Sequence, residues 1–303
     1  MKQKIKDYKE LTKFTLSFTV VFTCVICFLL VPQNEYNFKM MMLLFVAGML
    51  VCGSANAINQ AVEKDTDALM KRTANRPVAA GRMSVNEAMI FALISGILGC
   101  AIMGLFFNIT SALLSAFSLF LYSYIYTPLK KINSIAVLVG AFPGAFPCLI
   151  GWVAGFYNQE ISWTGGFVVF AIQFIWQFPH FWAIAWVAHQ DYSKVGFKLL
   201  PSKEGPTRFT AIQAIMYSVL MIPIGILPFL DTIKIAGHHN FLIKNDIIGS
   251  TGLWILIAAN IFMVVQCVRL YKTMDVKAAR RVMFSSYIYL PIVYLTLLWD
   301  KII

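Results

Sequence analysis

The chain has 303 residues, is 59% hydrophobic and only 13% charged, and carries a formal net charge of +11. An ordinary soluble domain holds about 45–50% apolar and about 25% charged residues, so a water-soluble globule is excluded and the bilayer becomes the solvent. The basic residues are scattered between apolar runs and not gathered on one polar domain, which marks them as topology determinants and argues against nucleic acid as a partner.

Taken in chain order, apolar runs cover 14–31, 40–60, 85–106, 109–127, 135–156, 163–187, 210–230, 247–268 and 283–299. Each is long enough, or nearly so, to cross a hydrocarbon core of about 30 Å as a helix. The expected fold is all-α: one polytopic, membrane-embedded domain over residues 1–303 with about nine transmembrane helices. The run at 14–31 follows a lysine-rich start, but no small-residue cleavage site precedes Pro32, so it reads as a retained helix behind a short cytoplasmic segment, 1–13. With the N-terminus cytoplasmic, 21 of the 25 Lys and Arg fall on the cytoplasmic side. Only Lys39, Lys234, Lys244 and Lys301 fall outside. That asymmetry fixes the expected orientation in the cell inner (plasma) membrane. The six cysteines lie in or beside apolar runs. The Cys24-x-x-Cys27 pair reads as two small thiols on one helix face, because no second pair completes a metal site.

The second run closes with Asn59-Gln-Ala-Val-Glu63-Lys-Asp65-Thr-Asp67. Residues 59, 63 and 67 are four apart, so at about 100° per residue their side chains share one helix face, with Asp65 opposite. A row of hard oxygens suits Mg²⁺, which takes one or two carboxylates and fills its shell with water and phosphate oxygens. The same residues also read as a solvated acidic helix end pairing with Lys64 and Lys71. Lys71, Arg72 and Arg76 follow directly. Guanidinium forks match phosphate oxygens, and carboxylates followed by cations make a candidate diphosphate site.

The sixth run carries Trp176-Gln-Phe-Pro179-His180-Phe-Trp182, and Trp186, His189, Asp191, Tyr192, Lys194 and Lys198 follow. Pro179 is expected to disturb the helix where His180 sits. His180 is an ionisable side chain inside an apolar run, a functional candidate by default. A hydrogen bond to a carbonyl freed by Pro179 is the plainer reading. His189 and the His238-His239 pair are weaker candidates. The aromatic residues here either line a pocket for a carbocation or a flat ring or simply pack helices.

These segments resemble the UbiA-type superfamily of intramembrane prenyltransferases. Asn59-x-x-x-Glu63-x-x-x-Asp67 is similar to its first motif, with Glu63 where the family pattern has Asp. Arg72-Thr-x-Asn75-Arg76-Pro77 through Ser84 resembles the stretch that follows. Tyr126-Thr-Pro-Leu-Lys130-Lys131, Gly144 through Trp152, and the block from Pro179 to Pro201 resemble the haem-farnesylating branch of the superfamily. Of the second acidic motif only Asp191 remains, with Val195 at the next acidic position. The resemblance implies a helical bundle around a central cavity facing the cytoplasm. In it, Asn59, Glu63, Asp67 and Asp191 bind Mg²⁺ as the catalytic set, and Arg72, Arg76, Lys130 and Lys198 bind diphosphate. Farnesyl diphosphate and haem b are the implied substrates, and His180, Tyr126, Trp176 and Tyr192 are the candidates for contact with them. It leaves room for a later haem-processing enzyme as a partner. A relative acting on a quinone precursor or chlorophyll-like ring is the nearest rival, and a transporter, whose acids belong near the bilayer midplane, is a distant one.

Overall fold

The computed structural model of the protein describes residues 2–32, 37–202, 204–229 and 250–302. Lys203, Lys234, Lys244 and the His238-His239 pair lie outside these residues. The described residues form helices α1 Lys2–Leu11, α2 Phe14–Leu29, α3 Phe38–Val62, α4 Lys64–Leu69, α5 Val85–Phe106, α6 Ile109–Phe120, α7 Thr127–Leu129, α8 Ala136–Ala154, α9 Trp163–Val187, α10 His189–Lys194, α11 Arg208–Ile226, α12 Ser250–Thr273 and α13 Val276–Ile302. A π-helical turn, Leu121–Tyr126, joins α6 to α7, so that Ile109–Leu129 is one crossing.

Among the described residues eight helices are long and apolar enough to cross a bilayer, and the pair α1 and α2, bent by 52°, makes a ninth if taken as one span. The expected spans hold within four residues, except that α12 runs to Thr273, five residues past its predicted run, and α13 begins at Val276, seven residues before its own; 230 and 247–249 lie outside the described residues. The break expected between 106 and 109 is present: Asn108 caps α6 by accepting from the Ser111 amide at 2.8 Å, satisfying one of the free donors of a helix start. Ser84 caps α5 in the same way through the Glu87 amide at 3.0 Å.

The helices close into a ring. α2 packs on α3 and α8, α3 on α5, α5 on α6 and α6 on α8. α8 then packs on α9, α9 on α11 and α13, α11 on α12, and α12 on α13, which returns to α2. α8 and α9 are the most enclosed spans, with Trp152, Val153, Ile172, Trp176 and Trp186 in the core. Close approach in lipid depends on small residues, since tails are as apolar as Leu. α8 supplies them as Gly151 and Gly155 against α2, where Cβ atoms would meet the Cys24 carbonyl and Val31.

Polar contacts gather the inter-helix links of one parity at one end. Arg82, between α4 and α5, reaches back to Asp7 (2.8 Å) and Glu10 (3.0 Å) of α1. Lys130 after α7 pairs with Glu63 after α3, Arg72 donates to the Tyr192 hydroxyl at 2.9 Å, and Arg208 lies over the Tyr271 ring. These are the segments that the positive-charge count put on one side. At the other end Lys301 donates to the Leu29 and Val31 carbonyls, and Asn108 donates to the Val153 carbonyl.

Candidate active site

The acidic row does not sit on one uninterrupted helix. α3 stops at Val62, Glu63 has φ −94° and ψ 14°, and α4 restarts at Lys64. The four-residue phase survives because the Glu63 amide still donates to the Asn59 carbonyl (3.0 Å) and the Asp67 amide to the Glu63 carbonyl (2.7 Å). Asn59, Glu63 and Asp67 are therefore all buried, while Asp65 is exposed on the opposite face.

The three line a cavity of about 120 Å³ together with Lys13, Met70, Arg72, Thr73, Arg76, Tyr122, Tyr126, Lys130, Tyr192, Phe197 and Leu199. Asn59, Glu63 and Asp67 are each held by one cation. Arg76 Nη1 donates to both Asp67 oxygens, at 2.8 and 2.7 Å. Lys130 pairs with Glu63, and Lys13 Nζ donates to Asn59 Oδ1 at 3.1 Å. The Thr73 hydroxyl donates to the Asp67 carbonyl at 2.8 Å and pins the turn that carries Arg76.

Burial pushes the Lys130 ammonium below the usual lysine range, against the opposing pull of Glu63. Lys13, in the turn between α1 and α2, is brought down to about 7, chiefly by enclosure of its ammonium and then by the charges of Arg76 and Lys130. Both ammonium groups are poorly solvated, so each gains from an added anion. Because Lys130 and Glu63 are both buried, truncating only one partner leaves an uncompensated charge, a loss of about 3–5 kcal/mol. Lys130→Met should therefore destabilise the folded protein more than the double variant Lys130→Met/Glu63→Gln does. Thermal unfolding of the two variants in the same detergent measures the difference.

The π-helical turn explains two aromatic residues. It keeps Tyr122 and Tyr126 on the cavity side with ring centroids 5.3 Å apart, and Lys130 Nζ lies 5.0 Å from the Tyr126 ring. Gly140 leaves room for that ring, since a Cβ there would sit 2.7 Å from Tyr126 Cε2. Such single π turns recur at functional sites because they re-aim side chains.

The loop after α9 closes the mouth. Tyr192, Phe197 and Leu199 face the cavity, and the Lys198 amide donates to the Lys130 carbonyl at 2.7 Å. The Lys198 side chain is exposed and does not line the cavity. Asp191 lies beside Tyr192 but pairs with Lys194 at 3.5 Å and is also outside the lining. Among the described residues no three His, Cys, Asp or Glu side chains cluster closely enough to hold a metal. The cavity gathers two carboxylates and the Asn59 amide, beside the hydroxyl-bearing Thr73, Tyr122, Tyr126 and Tyr192.

α9 runs unbroken through Pro179. His180 hydrogen-bonds the Ser286 hydroxyl of α13, not a carbonyl freed by the proline, and stacks on Trp176. Neither ring lines the cavity. The Tyr287 ring of α13 meets His180 edge-on at 5.1 Å. Sequence reasoning missed Lys13 as a site residue, counting it only toward topology, and missed Tyr122. Its one available signal was that Tyr122, Tyr126 and Lys130 are spaced four apart.

The UbiA prenyltransferase family model matches residues 20–289. A protein of Cytophaga hutchinsonii named protoheme IX farnesyltransferase is 41% identical over 302 residues, covering all of both chains. One of the same name from Flavobacterium johnsoniae is 40% identical over 97% of this chain and 94% of its own. A digeranylgeranylglyceryl phosphate synthase structure superposes with a TM-score of 0.78 at 21% identity, over 99% of each chain. A UbiA homologue from Archaeoglobus fulgidus, solved bound to GPP and Mg²⁺, superposes with a TM-score of 0.71 at 14% identity, over 96% of this chain and 99% of that one. The bundle, its fold neighbours and its full-length relatives agree: the chain belongs to the UbiA prenyltransferase family.

Proposed function

We propose that the protein transfers the farnesyl group of farnesyl diphosphate to a vinyl group of haem b, in the inner membrane, with the cavity open to the cytoplasm. The carrying observation is a cavity in which oxygen ligands and phosphate-binding cations are interleaved, in a chain whose full-length relatives bear the name protoheme IX farnesyltransferase. The donor set fits Mg²⁺, because Asn59, Glu63 and Asp67 offer only hard oxygens on one wall. Asp191, at the mouth, is the reserve ligand of this reading. Mg²⁺ held there supplies Lewis acidity at the departing diphosphate oxygens.

The chain's own residues do the rest. Arg76 and Lys130 exchange their carboxylate partners for phosphate oxygens as the diphosphate enters, and Lys13 and Arg72 complete the cradle, with Lys198 in reserve at the rim. Fixed cations of this kind stabilise charge that grows only as the C–O bond breaks. The rings of Tyr122 and Tyr126 line the same space, where a ring quadrupole favours an allylic cation. Met70, Phe197 and Leu199 keep bulk water from that cation. Diphosphate leaves as the C–O bond breaks, the farnesyl carbon bonds to the vinyl terminus, and water adds at the neighbouring carbon and gives its proton to the released diphosphate, yielding a hydroxyethylfarnesyl haem.

The test is product mass after incubating the protein in lipid nanodiscs with farnesyl diphosphate and Mg²⁺ plus either haem b or 4-hydroxybenzoate. Farnesylated haem alone is expected, and EDTA should abolish it. Prenylation of 4-hydroxybenzoate alone, or turnover that survives EDTA, would overturn the reading.

A further inference from the structure

Ser286 settles which nitrogen of His180 carries its proton. The Ser286 hydroxyl has one hydrogen, and its oxygen lies 2.6 Å from the Met283 carbonyl, which can only accept. The hydroxyl therefore donates there. His180 Nδ1 lies 2.7 Å from the same oxygen, which has no second hydrogen to give, so Nδ1 must be the donor. A neutral imidazole has only one N–H, and among the described residues no carboxylate contacts His180 to hold a second proton. Nε2 is left as a bare lone pair, with no hydrogen-bond partner among the described residues.

The ring around that lone pair is fixed on every other side. Trp176 stacks on it at 4.5 Å with planes 17° apart, Tyr287 abuts it edge-on, and Phe181 lies at 5.7 Å. Trp176 is itself tied to Ser286, donating its indole N–H to the Ser286 carbonyl at 3.1 Å. One serine thus orients both rings, from a helix that the sequence motifs do not touch. A histidine whose Nδ1–H is held by an oxygen acceptor while Nε2 stays free is the arrangement of a metal-ligating imidazole, in which the outer hydrogen bond sets the tautomer and strengthens the donor nitrogen.

We propose that Ser286 is a positioning residue whose hydroxyl locks His180 in the Nδ1–H tautomer, so that His180 Nε2 ligates the iron of the haem substrate. The proposal rests on the haem-farnesylating function above. It gives that substrate an anchor on the α9–α13 seam, where His180 meets Ser286 and Tyr287.

The experiment adds haem b to the full chain in nanodiscs without farnesyl diphosphate and reads absorption and the ferrous iron–nitrogen stretch by resonance Raman. A histidine-type stretch is expected in the wild type, lost in His180→Ala. Ser286→Ala should shift the stretch and weaken haem binding roughly 10-fold or more, the usual cost of losing such an outer partner. Ser286→Thr, which keeps the hydroxyl, should restore both. Retained binding of a fluorescent farnesyl diphosphate analogue controls for folding. A wild type without a histidine-type stretch, a His180→Ala spectrum like the wild type's, or a Ser286→Ala variant matching the wild type in both readouts overturns the proposal. In those cases farnesylated haem still forms in the mass assay if the function stands, whereas its absence there fails the function itself.

Discussion

Replacing Asp67 with Asn should lower turnover about 10³-fold, the upper range for removing one preorganised charge-stabilising group, while the bundle stays folded. Asp67 is 1% exposed and is the acid on which the Arg76 guanidinium rests. Asparagine keeps the volume and one acceptor for Arg76 but removes the charge that a divalent cation needs. Arg76 is partly exposed, so it finds water when its partner is neutralised, and the fold loses much less than activity does. Asp65→Asn is the matched control, since Asp65 is exposed on the other face of the same short helix. Its turnover should change by less than about twofold, as for surface substitutions away from a site. Farnesylated haem quantified by mass spectrometry across a Mg²⁺ titration separates the two. Equal losses at positions 65 and 67 would mean that the cavity is not where the chemistry happens.

The parts of this site that sequence alone reveals are those governed by periodicity and local order. Asn59, Glu63 and Asp67 share a face because backbone bonds keep their phase across the break at Glu63, and Arg72 and Arg76 follow within two turns of chain. Lys130 was reachable only through resemblance, because its pairing with Glu63 joins residues from separate crossings. Lys13 was invisible as a site residue. Its backbone stands at φ 45°, a left-handed conformation that a lysine adopts only under tertiary constraint, so nothing in its neighbours announces a turn that aims it at Asn59. Lys198 also came through resemblance. α10 stops at Lys194, and Gly196, at φ 74°, turns the chain before Lys198. The backbone of Lys198 stays to brace Lys130 while its side chain leaves. Tyr122 depends on the π turn, whose extra residue per turn no hydrophobic pattern records.

Gly151→Ala should be the most damaging single-atom addition in the protein. A Cβ at Gly151 would overlap the Cys24 carbonyl oxygen and lie 2.8 Å from its carbon and 3.1 Å from its Cα, all backbone of α2. Backbone cannot rotate aside as a side chain can, so α2 and α8 must separate. Four residues on, Gly155 allows no slack, because a Cβ there would meet Val31 at 2.5 Å and the Phe28 carbonyl oxygen at 3.2 Å. Overpacking of this kind costs about 1–3 kcal/mol, occasionally more, and the close helix pair forfeits dispersion contacts that bilayer lipid does not replace. The displacement also reaches the active site, since α2 begins next to Lys13 and Lys13 holds Asn59. Farnesyl diphosphate affinity should therefore fall along with stability, unlike in a purely distal core variant. Gly104→Ala on α5 is the control: its Cβ would approach only the Ala112 Cβ, at 3.4 Å, and alanine is the better helix former by about 1 kcal/mol. Thermal unfolding in detergent should rank Gly104→Ala at or above the wild type and Gly151→Ala well below it, and a Gly151→Ala protein as stable as the control would show that α2 and α8 do not meet through that glycine.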